Sequence, residues 1–333
     1  MAPKRSHAAP GAKPSGDYVP PTRGILSKLP ASWVPYAELI RLEQPHGLYM
    51  TFFPQIIGLM FACSARPDAV PGSLLVQRLG LLFVWTFFIR SAGCAWNDNT
   101  DQDFDRLTER CRNRPIARGA VSTAQGHIFT LVLTLLAFTV IRPLPLESTL
   151  CGIVTIVLTT IYPFGKRFTN FAQVILGSTL ASTIPLSAYS VGLPALSGEY
   201  IVPTLCLTAT ILLLVVFYDT IYARQDTADD LKSGVKGMAV LFRNHIESLL
   251  AFLALSITGL LATAGTLLNM GTYFFAFSVV GLATGLFVMI ALIRWHVLPS
   301  FAKYAGWFYA FAIANLLGGC IVEYLGRAPA LFA

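Results

Sequence analysis

Charged side chains are what this chain has least of. Asp, Glu, Lys and Arg make up 12% of its 333 residues, about half the share found in ordinary soluble domains. With 55% hydrophobic residues and a mean hydropathy of +0.63, the chain has more apolar surface than one soluble core buries, which excludes a soluble globular protein. Cysteine is sparse as well. Cys63, Cys94, Cys111, Cys151, Cys206 and Cys320 show no C-x-x-C spacing, so they read as small buried hydrophobes rather than zinc or redox sites. The five histidines form no pair at helical spacing and offer no metal site. No basic helix or RNA-binding signature accompanies the net charge of +7, so nucleic acid is not an expected partner.

What is abundant is the apolar run long enough to cross about 30 Å of hydrocarbon as a helix. Nine are read, at 47–64, 76–96, 121–141, 148–165, 171–193, 200–218, 246–268, 271–293 and 305–325. The predicted fold is therefore all-α, a polytopic bundle of nine transmembrane helices in the lipid bilayer. The span at 148–165 is short, and that at 76–96 carries Arg78 and Arg90. Nineteen Lys and Arg residues fall in the N-terminal tail and every second loop, against Arg66, Arg78, Arg142 and Arg327 on the other side. That bias places the N-terminus at the cytosolic face and the C-terminus opposite.

Residues 1–25, rich in proline and small polar residues, are predicted to be a disordered tail, and 26–333 one membrane domain. The tail lacks the apolar region of a secretory signal, and Asp17 and the prolines make it a poor transit peptide. Leu29, Trp33, Val34, Tyr36, Leu39 and Ile40 suggest a short amphipathic helix at the interface.

The few carboxylates are not scattered. Nine of seventeen, counting Glu109, fall in two segments, 97–109 and 219–230, each directly after an apolar run and on the cytosolic side. On a continuing helix Asn97, Asp101 and Asp105 recur every four residues, with Asp98 three before Asp101; Asp219, Tyr222, Asp226 and Asp230 form a second stripe, with Asp229 beside it. Carboxylates packed so closely repel unless cations lie between them. Two facing stripes would hold two or three Mg²⁺ ions that complete their octahedra with water and phosphate oxygens, a diphosphate site. Arg110, Arg112, Arg114 and Arg118 follow the first stripe, Lys166 and Arg167 the fourth span, and Lys232 and Lys236 the second stripe. Cations there would clamp phosphate oxygens as charge develops on a leaving group. Each also serves as a positive-inside anchor.

These residues resemble the UbiA-type intramembrane prenyltransferases. The first motif of that family, N-D-x-x-D-x-x-x-D, reads as Asn97, Asp98, Asp101 and Asp105, followed by Asn113-Arg114-Pro115 and Arg118-Gly119. The second, D-x-x-Y-A-x-x-D-x-x-D-D, reads as Asp219, Tyr222, Ala223, Asp226, Asp229 and Asp230. Tyr162–Arg167, Gln173–Gly177 and Arg41–Gly47 look like further landmarks. The second motif is similar to the 4-hydroxybenzoate polyprenyltransferase branch, which includes fungal enzymes that farnesylate aromatic polyketides. Asn170-Phe171-Ala172 departs from that branch, which tends to have proline just before Gln173.

The resemblance implies Mg²⁺ held by Asp98, Asp101, Asp105, Asp226, Asp229 and Asp230, and a prenyl diphosphate, farnesyl preferred, bound with help from Asn97, Arg112, Arg118, Arg167, Lys232 and Lys236. Arg114 and Lys166 are the candidates for stabilising the leaving group. Asp219 or Tyr222 would hold or deprotonate an aromatic or pyrone acceptor, and Phe52, Phe53, Trp85, Phe87 and Tyr189 are aromatic faces for an allylic cation, although packing is the commoner use of each. A polyketide acceptor at the endoplasmic reticulum is preferred; the alternative is 4-hydroxybenzoate in ubiquinone synthesis at the mitochondrial inner membrane. A cation transporter, the rival from another class, would place its carboxylates near mid-span.

Overall fold

The computed structural model describes residues 18–108, 111–227, 230–231, 234, 236–294 and 301–332. Its helices are α1 (Val34–Leu39), α2 (His46–Ala65), α3 (Gly72–Thr100), α4 (Gln102–Leu107), α5 (Thr123–Ile141), α6 (Leu146–Phe168), α7 (Ala172–Ala181), α8 (Thr183–Ser190), α9 (Ile201–Ala223), α10 (Ile246–Leu267), α11 (Leu282–Arg294, continuing a π-helical Phe274–Gly281) and α12 (Phe301–Phe332). Among the described residues eight helical segments are single, long and apolar enough to cross a membrane. The span expected at 171–193 is built from α7 and α8, which break at Ser182. Pro185 has no N–H to bond back to Ala181, so the turn at the break lacks that helical bond. Together the pair covers 172–190, about 28 Å at helical rise.

Lipid cannot drive helices together by apolar burial, so close backbone approach does more of the work. A Cβ on Gly177 would lie 2.7 Å from the Leu212 carbonyl oxygen, and one on Gly58 would lie 3.0 Å from that of Ile184. Glycine at these positions lets α7 seat on α9 and α2 on α8. The two arginines of α3 are accommodated by reaching carbonyls beyond its own helix: Arg78 Nε donates to Ser190 O (2.8 Å) and Arg90 Nη1 to Ile40 O (2.8 Å). Both stems thus run along apolar wall while the charge finds a polar end.

The two ends of the bundle differ. At the C-terminal end of α12, Arg327 donates to Glu323 (2.8 Å), Ser64 O (2.8 Å) and Asn269 O (2.7 Å), and Glu323 also accepts the Gly271 N–H. This end is tied shut. The opposite end carries the longer connections and both acidic segments. There Arg167 donates to Thr100 O, joining α6 to the end of α3, and Gln173 Oε1 accepts the Met238 N–H, joining the start of α7 to the connection after α9.

Of the tail expected over residues 1–25, residues 1–17 lie outside the described residues and 18–25 lie within them. The Tyr18 hydroxyl donates to Glu38, and Leu26 is buried. The short amphipathic helix expected from Leu29 to Ile40 is α1 alone, preceded by a turn at Leu26–Lys28. Leu39 packs with Ala95, Ile116 and Val121 in a small core of its own, so this segment lies against α3 and the loop after α4.

Candidate diphosphate site

α3 runs on past its apolar stretch to Thr100, breaks at Asp101 (φ −95°, ψ 7°) and resumes as α4. The four-residue spacing survives the break, because Asp101 N–H bonds Asn97 O and Asp105 N–H bonds Asp101 O, both at 2.8 Å. Asp98, Asp101 and Asp105 are all buried. A buried carboxylate needs partners, and two arginines supply them. Arg114 Nη1 lies 3.2 Å from Asp98 Oδ1 and 2.9 Å from Asp105 Oδ2, and Arg41 Nη2 lies 2.7 Å from Asp98 Oδ1.

Arg41 arrives there by an unusual route. Arg41 N–H bonds Glu38 O and Leu42 N–H bonds Ala37 O, the paired bonds that close a helix with a left-handed residue, usually glycine. Arg41 occupies that position at φ 59°, at a cost of about 1–2 kcal/mol for a residue with a Cβ. What the position supplies is a guanidinium on Asp98. Sequence reasoning marked Arg41 only as part of a landmark, since its role depends on a turn that no spacing rule foretells.

Electrostatics follow from this burial. Loss of solvent raises the Asp105 carboxyl above its ordinary pKa, with Arg114 pulling the other way. For Arg114 burial opposes the charged form, yet Asp98 and Asp105 outweigh it and hold the guanidinium charged more firmly than usual.

Below these groups opens a cavity of about 390 Å³ between α2, α3, α6, α7 and α8, with Arg41, Asn97, Asp98, Arg114 and Tyr162 among its lining residues. Among the described residues, Asn97 Oδ1 and Asp98 Oδ2 are buried and have no hydrogen-bond partner. Two hard oxygens of this kind on a cavity wall fit Mg²⁺, which takes one or two protein oxygens and fills its shell with water and phosphate. Among the described residues no three His, Cys, Asp or Glu side chains converge as a metal cage.

Of the sixteen residues singled out from sequence, Asn97, Asp98 and Arg114 line the cavity. Asp101 and Asp105 lie behind them. Arg112 is half-buried in the same loop. Arg118, expected to clamp diphosphate, instead pairs with Glu38 and lies 3.7 Å over the Tyr18 ring. Arg167 is turned to Thr100 O and the Phe104 and Phe164 rings. Asp219, in the last turns of α9, is half-buried, Tyr222 is 40% exposed, Asp226 and Asp230 are half-buried, and Lys236 is exposed. None of these five lines the cavity, because α9 packs behind α7. Asp229 and Lys232 lie outside the described residues, as does the side chain of Lys166. Of the aromatic faces named from sequence only Trp85 lines the cavity, at its deep end. Tyr162, near the charged end, was missed as a wall residue because its position depends on how α6 turns.

Comparison with known proteins agrees with this geometry. The profile of the UbiA prenyltransferase family matches residues 51–316. A prenyltransferase of Acremonium egyptiacum, ascA, is 66% identical over 97% of this chain and 96% of its own. Prenyltransferase stbC of Stachybotrys bisbyi is 57% identical over 92% of each chain. The DMOA farnesyltransferase nvfB of Aspergillus novofumigatus is 39% identical over 91% of this chain and 95% of its own. Among solved structures, a UbiA homologue from Archaeoglobus fulgidus bound to GPP and Mg²⁺ superposes with a TM-score of 0.59 at 16% identity, covering 86% of this chain and 99% of that one. At that identity the likeness is one of fold.

Proposed function

Because the chain belongs to the UbiA prenyltransferase family, we propose that it transfers a farnesyl group from farnesyl diphosphate to a carbon of an aromatic polyketide or pyrone, with Mg²⁺, in the endoplasmic reticulum membrane. The observation that carries this reading is the pair of unpartnered oxygens, Asn97 Oδ1 and Asp98 Oδ2, set beside Arg41 and Arg114 at the head of a cavity enclosed by apolar helices. A phosphate head and a hydrocarbon tail ask for those two environments in that order. The farnesyl donor rests on the name of nvfB, and the polyketide acceptor on the sequence landmarks above.

Asn97 and Asp98, with Asp101 and Asp105 behind them, would hold Mg²⁺ on the α3 side, and Asp226 and Asp230 are the carboxylates at the same end of the bundle. Bound there, Mg²⁺ would neutralise charge on the departing diphosphate. Arg41 and Arg114 do the same with fixed guanidinium groups whose position costs no reorganisation during the reaction. The allylic C–O bond breaks with its electron pair going to diphosphate, and a ring carbon of the acceptor attacks the resulting cation. The ring then gives its proton to the released diphosphate. Neither Asp219 nor Tyr222 lines the cavity to take it. The helix walls keep out water, which would otherwise trap the cation as an alcohol.

The test is a membrane-fraction assay with Mg²⁺ in which geranyl, farnesyl and longer diphosphates are paired with 4-hydroxybenzoate and a panel of phenolic polyketide acids, read by mass spectrometry. Farnesyl addition to a polyketide acid with 4-hydroxybenzoate inert is the expected result. Product from 4-hydroxybenzoate alone would reassign the chain to quinone synthesis. No EDTA-sensitive product from any pair would overturn the reading.

A further inference from the structure

The cavity has a measurable depth. On α3 its wall is a stripe that starts at Trp85 and Thr86, passes Gly93 and ends at Asn97 and Asp98. Trp85 and Asp98 are thirteen residues apart in one helix, about 20 Å along its axis. The stripes on the other walls end at the same level, at Gln55 on α2 and Thr183 on α8. Arg90, midway, is also a wall residue and donates Nη1 to Ile40 O at 2.8 Å.

The deep end is spanned by a cross-link. Gln55 Nε2 donates to Thr86 Oγ1, and the orientation of that amide is fixed: the Thr86 hydroxyl already donates to Leu82 O at 2.7 Å, so it accepts from Gln55. The bond bars the gap between α2 and α3 at the level of Trp85, which is fully buried. The floor is also polar, since Gln55 Oε1 and Trp85 Nε1 are buried without a hydrogen-bond partner. A hydrocarbon tail reaching this level meets a wall that offers it no apolar continuation.

Resting on the prenyltransferase reading above, we infer that Trp85 and the Gln55–Thr86 bridge set the length of the donor's tail at fifteen carbons. Four carbon–carbon bonds extend each isoprene unit by about 5 Å, so three units take about 15 Å. The few remaining ångströms of the 20 Å cavity hold the diphosphate beside Asp98. A fourth unit has no room above the floor, and a tail of two units leaves the floor uncovered. Trp85 therefore determines specificity and lies too far from the reacting carbon to steady an allylic cation.

The experiment compares geranyl, farnesyl and geranylgeranyl diphosphates in the purified full chain, by turnover and, separately, by competition between their non-hydrolysable thiolodiphosphate analogues. Binding is read without an acceptor, so a wrong acceptor panel silences turnover and leaves the tail preference visible. The wild type is expected to favour fifteen carbons over twenty by about tenfold or more. Trp85→Ala lowers the floor and shifts that ratio at least about tenfold toward twenty carbons. Gly93→Leu acts in the opposite sense: a Cβ there lies 3.0 Å from Thr159 Cγ2 on α6, so a larger side chain crosses the cavity partway and shifts preference toward ten carbons. Should Trp85→Ala fail to fold, Gln55→Ala opens the same floor. Equal wild-type binding of fifteen- and twenty-carbon analogues, or an unchanged preference in Gly93→Leu, would overturn the inference.

Discussion

Asp98 carries more of the site than any other residue: one of its oxygens is shared by Arg41 and Arg114 and the other has no partner. Asp98→Asn keeps the shape and removes the charge, and is expected to lower kcat by about 10²-fold or more, measured as initial rate at saturating donor. Arg41 gives a sharper test because its two contributions oppose each other. Arg41→Gly relieves the left-handed backbone while removing the guanidinium, so turnover should fall about 10²-fold with the melting temperature within a few degrees of wild type. A large drop in melting temperature with normal turnover per folded molecule would make Arg41 structural. The carboxylates at 98, 101 and 105 were legible from their spacing alone. The Arg41 contact was not, since it depends on a helix-closing turn made with arginine where glycine is usual.

At the scale of elements, the segment from Tyr18 to Leu42 acts as a strap over the loop that carries Arg114. Glu38 is its hub: its side chain accepts from Tyr18 and Arg118, and its carbonyl accepts from Arg41 at 3.1 Å. Arg118 in turn donates to Asn113 O, beside Arg114. Glu38→Gln should raise the KM for prenyl diphosphate about tenfold through misplacement of Arg114. Exchanging the charges, Glu38→Arg with Arg118→Glu, should recover most of that loss in the same assay. Packing of α7 on α9 makes a prediction of stability instead. Gly177→Ala puts a Cβ 2.7 Å from a backbone oxygen, and overpacking of this kind costs about 1–3 kcal/mol, visible as a lower melting temperature in detergent.

For the molecule as a whole, the acidic segments are gathered at one end of the bundle and the Arg327–Glu323 contacts at the other. EDTA should abolish turnover and added Mg²⁺ restore it, measured on washed membranes. The nineteen-to-four distribution of Lys and Arg also predicts which side the site faces: cysteines introduced at 20 or 104 should be labelled by an impermeant reagent from the cytosolic side of sealed vesicles. Labelling only after the membrane is opened would invert the topology.

The amino-acid sequence by itself determined the class of fold, the membrane-crossing helices and the first carboxylate stripe, and it predicts the sidedness. These depend on local quantities, namely hydrophobic length, positive-residue bias and the 3.6-residue helical period. The departure at 171–193, where α7 and α8 share one crossing, lies one turn before Pro185, whereas α2 and α6 run unbroken through Pro54 and Pro163. Tertiary structure alone decided which cations reach the carboxylates, turning Arg118 away to Glu38 and bringing Arg41 in. It also set α9 behind α7, away from the cavity wall, and spanned the deep end of the cavity with a bridge between α2 and α3. Those outcomes depend on how helices distant in sequence rotate and meet, which the spacing of residues within one helix does not encode.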